Sequence, residues 1–290
     1  RSSAGMGAFD PGNAAMPVYL FIAAIFNSVF FYRAIRDCLS KKTAMSGAPA
    51  IAMLLSAISE FTWVLPCFVQ CFIVFVAGTD GNWAPEHEDE IGCKLQGFYS
   101  QFGSLSGMLA ALVLALITLR VARKQALPSA AQMYSTTACV LALSALISAL
   151  PFMGAGRYAY SGEGFCYIDW YDTASSTIML VFVLPVFAAV VITDALLFAA
   201  WPEATLTLAM AAGFVSAWVL WIPAAAIGLA GGSFPTGYMI SGAVLGHAQA
   251  IVNPLLYGIW WRRTLLEAPF EAIRGISKDS GALEAGGVFK

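Results

Sequence analysis

The residue types that carry out enzyme chemistry are scarce in this chain, and they are not grouped. It has two histidines: His87 lies in an acidic stretch and His247 in an apolar run. A metal hydrolase needs several histidines or carboxylates that face one another. A serine hydrolase or a nucleotide-binding enzyme would show G-x-S-x-G or a Gly-rich phosphate loop, and neither occurs. We therefore expect no enzymatic activity, no cofactor and no metal centre, and the lack of a basic run argues against nucleic acid as a partner.

Two of the six cysteines, Cys93 and Cys166, stand apart from the rest. The other four lie in or beside apolar runs, whereas Cys93 begins one and Cys166 lies in a polar segment between two. The charge pattern described below places both on the oxidising side of a membrane, where a disulfide persists. The sequence thus predicts a bond that ties this segment to the start of the third run; the alternative is two unpaired thiols.

Glu60 lies within the second apolar run, and we expect it to be the only carboxylate deep inside a membrane span. A charge placed there costs roughly 2.5–3.5 kcal/mol or more, so the default hypothesis for such a residue is functional. Asn27 is a second polar residue within a span.

Composition requires a membrane protein, because 59% of residues are hydrophobic and 11% are charged, whereas a soluble domain carries about 25% charged residues. Each apolar run reaches the roughly 20 residues that a helix needs to cross the hydrocarbon core. Nothing alternates as a membrane β-strand does. The predicted spans are about 16–35, 48–77, 93–121, 131–153, 173–199, 204–230 and 236–261.

The loops between these spans are asymmetric in charge. One set holds 12 of the 15 basic residues and the other set is acidic. The positive-inside rule places the basic set in the cytoplasm. The prediction is an all-α membrane protein: an extracellular tail over 1–15, a seven-transmembrane helix bundle over 16–261, and a cytoplasmic 262–290. An amphipathic stretch, Leu265 to Ile273, predicts a short eighth helix along the membrane surface.

Several motifs resemble those of the G-protein-coupled receptors. The seventh span reads Asn253-Pro254-Leu255-Leu256-Tyr257, similar to the NPxxY motif of rhodopsin-like receptors, and the sixth reads Trp221-Ile222-Pro223, similar to their CWxP motif. The pair Cys93 and Cys166 has the placement of the family's conserved disulfide. The third span opens Cys93-Lys94-Leu95-Gln96-Gly97 with Gln101-Phe102 following, which resembles the cyclic-AMP-receptor-like branch.

The resemblance implies a receptor at the plasma membrane that transmits an extracellular ligand signal to a heterotrimeric G protein. Trp221, Pro223, Asn253, Pro254 and Tyr257 would form its activation switch, since proline kinks a helix and gives it two nearby arrangements. By the same analogy, the candidate ligand-pocket residues are Ser100, Gln101, Ser104, Trp170, Trp221 and His247. No lysine occurs between Lys124 and Lys278, so a retinal Schiff base in the seventh span is excluded.

Some features depart from the family pattern. Thr118-Leu119-Arg120-Val121 replaces the D/E-R-Y triplet, so Arg120 is either a residue of the G-protein cavity or a boundary arginine. The link Ala199 to Glu203 is short and has no basic residue. Glu60 either faces Asn253, as the family's sodium-binding aspartate does, or is protonated and bonded to a neighbouring helix. The residues expected on the G-protein side are Arg120, Arg123, Arg262 and Arg263.

A non-signalling seven-helix protein and a transporter are the alternative functions. Transporters show repeated halves, and seven spans without an internal repeat do not divide in that way.

Overall fold

A computed structural model describes residues 11–39, 47–77, 91–160, 166–169, 171–201, 205–232 and 236–259. The predicted eighth helix, Arg262, Arg263 and Trp170 lie outside the described residues. For Tyr257, the helical backbone is described but the side chain is not.

Each predicted span is helical. Among the described residues, six helical stretches are long and apolar enough to cross a membrane, and the last helix holds a shorter apolar stretch, Val244–Leu256. The chain is therefore a multi-pass membrane protein. The helices are α1 (Pro11–Leu39), α2 (Ala48–Ala77), α3 (Ile91–Ala122), α4 (Ala130–Ala149), α5 (Thr173–Ala200), α6 (Thr205–Trp218), α7 (Trp221–Leu229) and α8 (Thr236–Ile259).

Helix ends follow local side-chain chemistry where the structure describes the caps. Ser129 accepts a hydrogen bond from the Gln132 backbone, and the Gln132 side chain accepts one from the Ser129 backbone, which is a capping box at the start of α4. Asp172 caps α5 by accepting from the Ser175 backbone. This N–H holds the pKa of the Asp172 carboxyl below its ordinary value. α1 begins at Pro11, five residues before the predicted span.

The sixth span is broken into α6 and α7, with Val219 and Leu220 between them. Pro223 accounts for the break, because proline has no N–H to donate and its ring collides with the carbonyl four residues earlier, that of Val219. α8, in contrast, stays helical across Pro254.

α3 is the centre of the bundle. In the most apolar 18-residue stretch of α3, 61% is buried inside the protein, compared with 22% in the corresponding stretches of α4 and α5. It packs against α2, α4 and α5. Small residues along α3 allow close approach: a Cβ at Gly103 would lie 2.4 Å from Cβ of Trp63 on α2.

A two-stranded antiparallel hairpin, β1 (Tyr158–Tyr160) and β2 (Cys166–Ile168), packs on the N-terminal half of α3. Tyr158 pairs with Ile168 and Tyr160 with Cys166. All three residues of β2 are buried, so this hairpin is part of the core. We refer to the end of the bundle that carries it as the hairpin end.

We predict that Gly97→Ala destabilises the protein, because a Cβ at position 97 would lie 2.3 Å from Cδ1 of Tyr158. Overpacking of this kind costs about 1–3 kcal/mol, and the measurement is thermal unfolding in detergent. Gly107→Ala in the same helix is the matched control, since nothing lies within 4 Å of its Cβ position and alanine favours helix by up to about 1 kcal/mol. Equal melting temperatures for the two variants would contradict the close approach.

Candidate functional site

The hairpin end is built around the Cys93–Cys166 disulfide, which the structure contains as the sequence predicted. It joins the first turn of α3 to β2, and both cysteines are buried. The backbone N–H of Cys166 donates to Gln96 Oε1 at 2.6 Å. α3 therefore holds β2 by a covalent bond and by a buried side-chain acceptor one turn further along.

An ion pair closes the base of the hairpin. Asp169 Oδ2 lies 2.6 Å from Nη2 of Arg157 and accepts from its Nε at 2.7 Å. The other carboxylate oxygen accepts from the Tyr171 N–H at 2.9 Å. Ser175 at the start of α5 accepts from the Arg157 backbone N–H at 2.9 Å. These contacts fix the hairpin to α5 as the disulfide fixes it to α3.

Two tyrosines of the hairpin reach into the bundle and contact predicted pocket residues. The Tyr158 hydroxyl lies 2.9 Å from Gln101 Oε1 and 2.6 Å from the Ser148 carbonyl oxygen, so its single proton is shared between these two acceptors. The Tyr167 hydroxyl lies 3.5 Å from Ser104 Oγ. Burial raises the pKa of Tyr158, and it raises that of Tyr167 to about 12, so both remain neutral donors at physiological pH.

Tyr167 also contacts the sixth span where it breaks. Its ring centroid lies 5.7 Å from that of Trp221, the first residue of α7. Trp221 faces α8 on its other side, since a Cβ at Gly242 would lie 3.1 Å from the indole. The hairpin, the break and α8 thus meet at one buried tryptophan.

His247 belongs to a different aromatic cluster. Its ring lies 4.5 Å from Trp63 of α2, and Trp63 lies 5.9 Å from Trp218, the last residue of α6. Trp218 Nε1 donates to Gln249 Oε1 of α8 at 3.3 Å. Neither Trp63 nor Trp218 was predicted from the sequence. Ser100, also predicted for the pocket, is buried and accepts from Ser104 through its carbonyl at 2.6 Å.

Three polar residues from three helices form a buried layer below these aromatic residues. Asn253 Nδ2 of α8 donates to Glu60 Oε1 of α2. Asn27 Nδ2 of α1 donates to the Ala250 carbonyl of α8 at 2.5 Å. Glu60 therefore faces Asn253, and this same hydrogen bond joins it to the neighbouring helix α8, so each of the two hypotheses for Glu60 stays a prediction. Pro254 is buried beside this layer.

The expectation that Glu60 is the only carboxylate within a span was wrong. Asp194 lies within α5, and neither of its buried carboxylate oxygens has a hydrogen-bond partner among the described residues. The residue was visible in the sequence, because it lies inside the predicted fifth span with no basic residue near it. Thr193 donates its hydroxyl to the Ala189 carbonyl of the same helix. No described residue donates to the Asp194 carboxylate.

Asp194 and Asn253 line the same small cavity between α2, α3, α5, α6 and α8. The space open to a water-sized sphere is about 20 Å³, which is room for about one water molecule. Asn253 Oδ1, like the Asp194 oxygens, has no partner in the described structure. The cavity is thus lined by acceptors that lack donors. Its other lining residues are Ser56, Ala111, Leu114, Ala115, Val190, Met210, Ala211 and Gln249.

The two described arginines of the predicted G-protein side lie at the end opposite the hairpin. Arg120 is exposed, and its Nη1 donates to the Ala126 carbonyl at 3.4 Å, within the turn that follows α3. Arg123 is also exposed. Arg120 therefore has the placement of a boundary arginine and does not point into the bundle.

We predict that Glu60→Leu destabilises the fold and that Glu60→Gln, the matched control, does not. Leucine leaves Asn253 Nδ2 buried without its acceptor, which costs about 1–3 kcal/mol, whereas glutamine keeps a carbonyl oxygen in place. Melting temperatures of both variants in detergent measure the difference. A leucine variant as stable as the wild type would show that the hydrogen bond does not contribute to stability.

Comparison with known proteins supports the fold. The crystal structure of squid rhodopsin matches with a TM-score of 0.62 at 16% sequence identity, over 90% of this chain and 78% of that one. The chain therefore has a helical-bundle fold like that of rhodopsin. No protein-family model matches the sequence, and no curated protein matches it.

Proposed function

We propose that the chain is a G-protein-coupled receptor of the plasma membrane, which transmits an extracellular ligand signal to a heterotrimeric G protein. In this proposal the hairpin end faces outside, as the charge bias of the loops predicts, and the basic end faces the cytoplasm. The observation that carries the proposal is the contact of Tyr167 with Trp221. It connects a disulfide-held external hairpin to the break in the sixth span, a point at which a helix can change direction.

The residues that resemble the cyclic-AMP-receptor-like branch support this proposal through their contacts. Cys93 bonds to Cys166, Gln96 accepts from the Cys166 backbone, and Gln101 accepts from Tyr158. Because Gly97 has no side chain, the Tyr158 ring can pack directly against the backbone of α3 at that position. The motif at the start of α3 is thus a seat for the hairpin, and an external ligand that moves the hairpin would act on all four residues.

A path of contacts leads from Trp221 towards the cytoplasmic half. Trp221 and Trp218 flank the break, Trp218 bonds to Gln249, and Gln249 lines the cavity with Asn253 and Asp194. In the proposed mechanism, a change at Trp221 alters the angle between α6 and α7. The inner part of α6 then moves relative to α5 and α8, and a ligand shifts this equilibrium by binding the two conformations unequally.

The described conformation is the resting one in this proposal. Met210 of α6 is buried in a cluster with Leu114 and Ile117 of α3, so α6 lies closed against α3. The Tyr167–Trp221 contact belongs to this closed state and stabilises it.

The proposal is tested by nucleotide exchange with purified full-length chain in lipid vesicles and a panel of Gα proteins. We expect exchange faster than with empty vesicles for at least one Gα, because a two-state receptor samples its active state without ligand. A heat-unfolded sample is the control for nonspecific effects. If folded protein gives no exchange with any Gα, the receptor hypothesis is replaced by that of a non-signalling seven-helix protein.

We predict further that Tyr167→Ala raises basal exchange. Loss of an aromatic contact of about 1 kcal/mol shifts the equilibrium away from the resting state about fivefold. Tyr171→Ala, at an exposed tyrosine of the same loop, is the matched control and should leave the rate unchanged. A lower basal rate in Tyr167→Ala would mean that the hairpin holds the active conformation.

A further inference from the structure

Asp194 is an acid inside the membrane span of α5 that has no counter-charge. Its two carboxylate oxygens are buried and accept no hydrogen bond from a described residue. Of the helices around its cavity, α2, α5, α6 and α8 contain no lysine or arginine in the described chain, and α3 has Lys94 and Arg120 only at its two ends. No ion pair among the described residues includes Asp194. An ionised carboxylate without a partner is costly at this depth, so its charge has to be balanced or removed.

We propose that the Asp194 carboxyl binds a proton, so that in this conformation it is a neutral acid that donates a hydrogen bond inside the cavity it shares with Asn253. The binding step is R–CO₂⁻ + H⁺ → R–CO₂H, with the proton taken from solvent, and the product carries no charge. The proton site itself does not depend on the proposed receptor function.

Asn253 supports the proposal because it offers an acceptor where Asp194 needs a partner. Its Nδ2 donates to Glu60 Oε1 on α2, and turning the amide over would break that bond and set two oxygens against each other. Oδ1 is therefore the group that Asn253 has left to offer, and it is buried without a donor in the described chain. An ionised Asp194 would add two further acceptors to the same cavity, whereas a protonated one supplies a donor.

The size of the cavity agrees with one proton and one water molecule. Its open space of about 20 Å³ has room for about one water. The acid would donate one hydrogen bond and the water two, which suffices for the water oxygen, Asn253 Oδ1 and the second oxygen of Asp194. A water beside the ionised form would leave one of the three protein oxygens without a donor and the negative charge in place.

The other polar groups of the cavity do not replace the proton. Ser56 and Gln249 also line it, but neither donates to Asp194 among the described hydrogen bonds, and Gln249 Oε1 already accepts from Trp218. A divalent metal ion would leave one positive charge in excess, because Asp194 is the only acid among the lining residues that the structure describes.

The acidic, basic and imidazole groups on the surrounding helices have other contacts. Glu60 bonds to Asn253 from α2, and His247 of α8 packs against Trp63. Arg120 at the end of α3 bonds to the turn that follows, and Lys94 lies at the opposite end of that helix. The described residues of α6 and α7, which also pack against α5, include no titratable group. Glu60 is thus the acid whose proton has to be distinguished from that of Asp194.

Proton binding couples this cavity to pH. Loss of the proton leaves a charge in a closed cavity, so the folded state is stabilised at low pH and loses that stability as the pH rises through the range where the proton leaves. Met210 and Ala211 of α6 form one wall of the cavity. In the proposed receptor, movement of α6 would open the cavity to water and release the proton, a consequence that rests on the proposed function.

The experiment is infrared spectroscopy of the full-length chain in a detergent without ester or acid groups, where the C=O stretch of a protonated carboxyl is separate from carboxylate bands. Glu60→Gln is the background, so that the band cannot come from Glu60. We expect an acid band of one group per chain at neutral pH. The band should vanish on adding Asp194→Asn and move in frequency on adding Asp194→Glu. It should remain unchanged on adding Asp37→Asn, the matched control, since that carboxylate is paired with Arg36.

Thermal unfolding at a series of pH values is the second measurement. We expect the melting temperature to fall as the acid band is titrated away at high pH, and Asp194→Asn to lack this step. The absence of an acid band at neutral pH, or a band that persists in a folded Asp194→Asn variant, would overturn the proposal. If the asparagine variant does not fold, the glutamate variant decides, and an unmoved band would overturn it.

A monovalent metal ion is tested in the same samples. A melting temperature that rises with Na⁺ but not with choline at constant pH would show that a metal ion balances the carboxylate, and it would overturn the proton site. None of these readouts involves a G protein, so failure of the proton site and failure of the proposed function are distinguished.

Discussion

The constraint on which this structure depends is that a polar group inside a bilayer must find its partner within the protein, because hydrocarbon offers none. Backbone groups meet it by forming helices, and hydroxyl side chains meet it by bonding to carbonyls of the preceding turn. Ser28, Ser59, Ser104, Thr118 and Thr193 all donate to the carbonyl four residues earlier. Longer polar side chains have to reach another helix, and these determine which helices meet: Asn27 and Asn253 both connect α8 to its neighbours.

The hairpin end meets the same constraint with a different element. A loop buried among helices exposes backbone groups that no helix satisfies. Pairing β1 with β2 satisfies part of them, and Gln96 accepts the Cys166 N–H. The buried tyrosine hydroxyls then find acceptors on α3 and α4. A strand can therefore enter the core of this bundle only because α3 presents glutamine and glycine at its first turns.

The sequence predicted those parts of the structure that arise from composition and local chemistry. All seven apolar runs are helical where the structure describes them, and six of these helices are long and apolar enough to cross a membrane. The disulfide was predicted because compartment restricts the choice of cysteines. Trp63 and Trp218 were missed, because apolar periodicity does not tell which buried aromatic residues meet across helices. The direction of the Arg120 side chain could not be predicted either. Spacing along a helix does not determine whether a side chain at the helix end points into the bundle or bonds to the turn that follows.

The two ends of the bundle differ in how well their polar groups are satisfied. At the hairpin end, donors and acceptors are paired through Gln96, Gln101 and Ser104. In the other half, five buried oxygens have no donor in the described part of the chain: Asn27 Oδ1, Glu60 Oε2, both carboxylate oxygens of Asp194 and Asn253 Oδ1. Each buried acceptor left in this way costs about 1–3 kcal/mol.

A conformation that supplied donors to these oxygens, from water or from a partner protein, would recover part of that energy. Gln249, which bonds to Trp218 at the break, lies in this half with Asn253 and Asp194. Opening this half of the bundle would therefore recover the most free energy. At the hairpin end the unpartnered atoms include Gln70 Nε2 and Ser148 Oγ, and neither belongs to a group that can carry a charge, so that end has less to gain. In the proposed receptor, this asymmetry would give a physical reason for a ligand at the hairpin to cause movement at the opposite end.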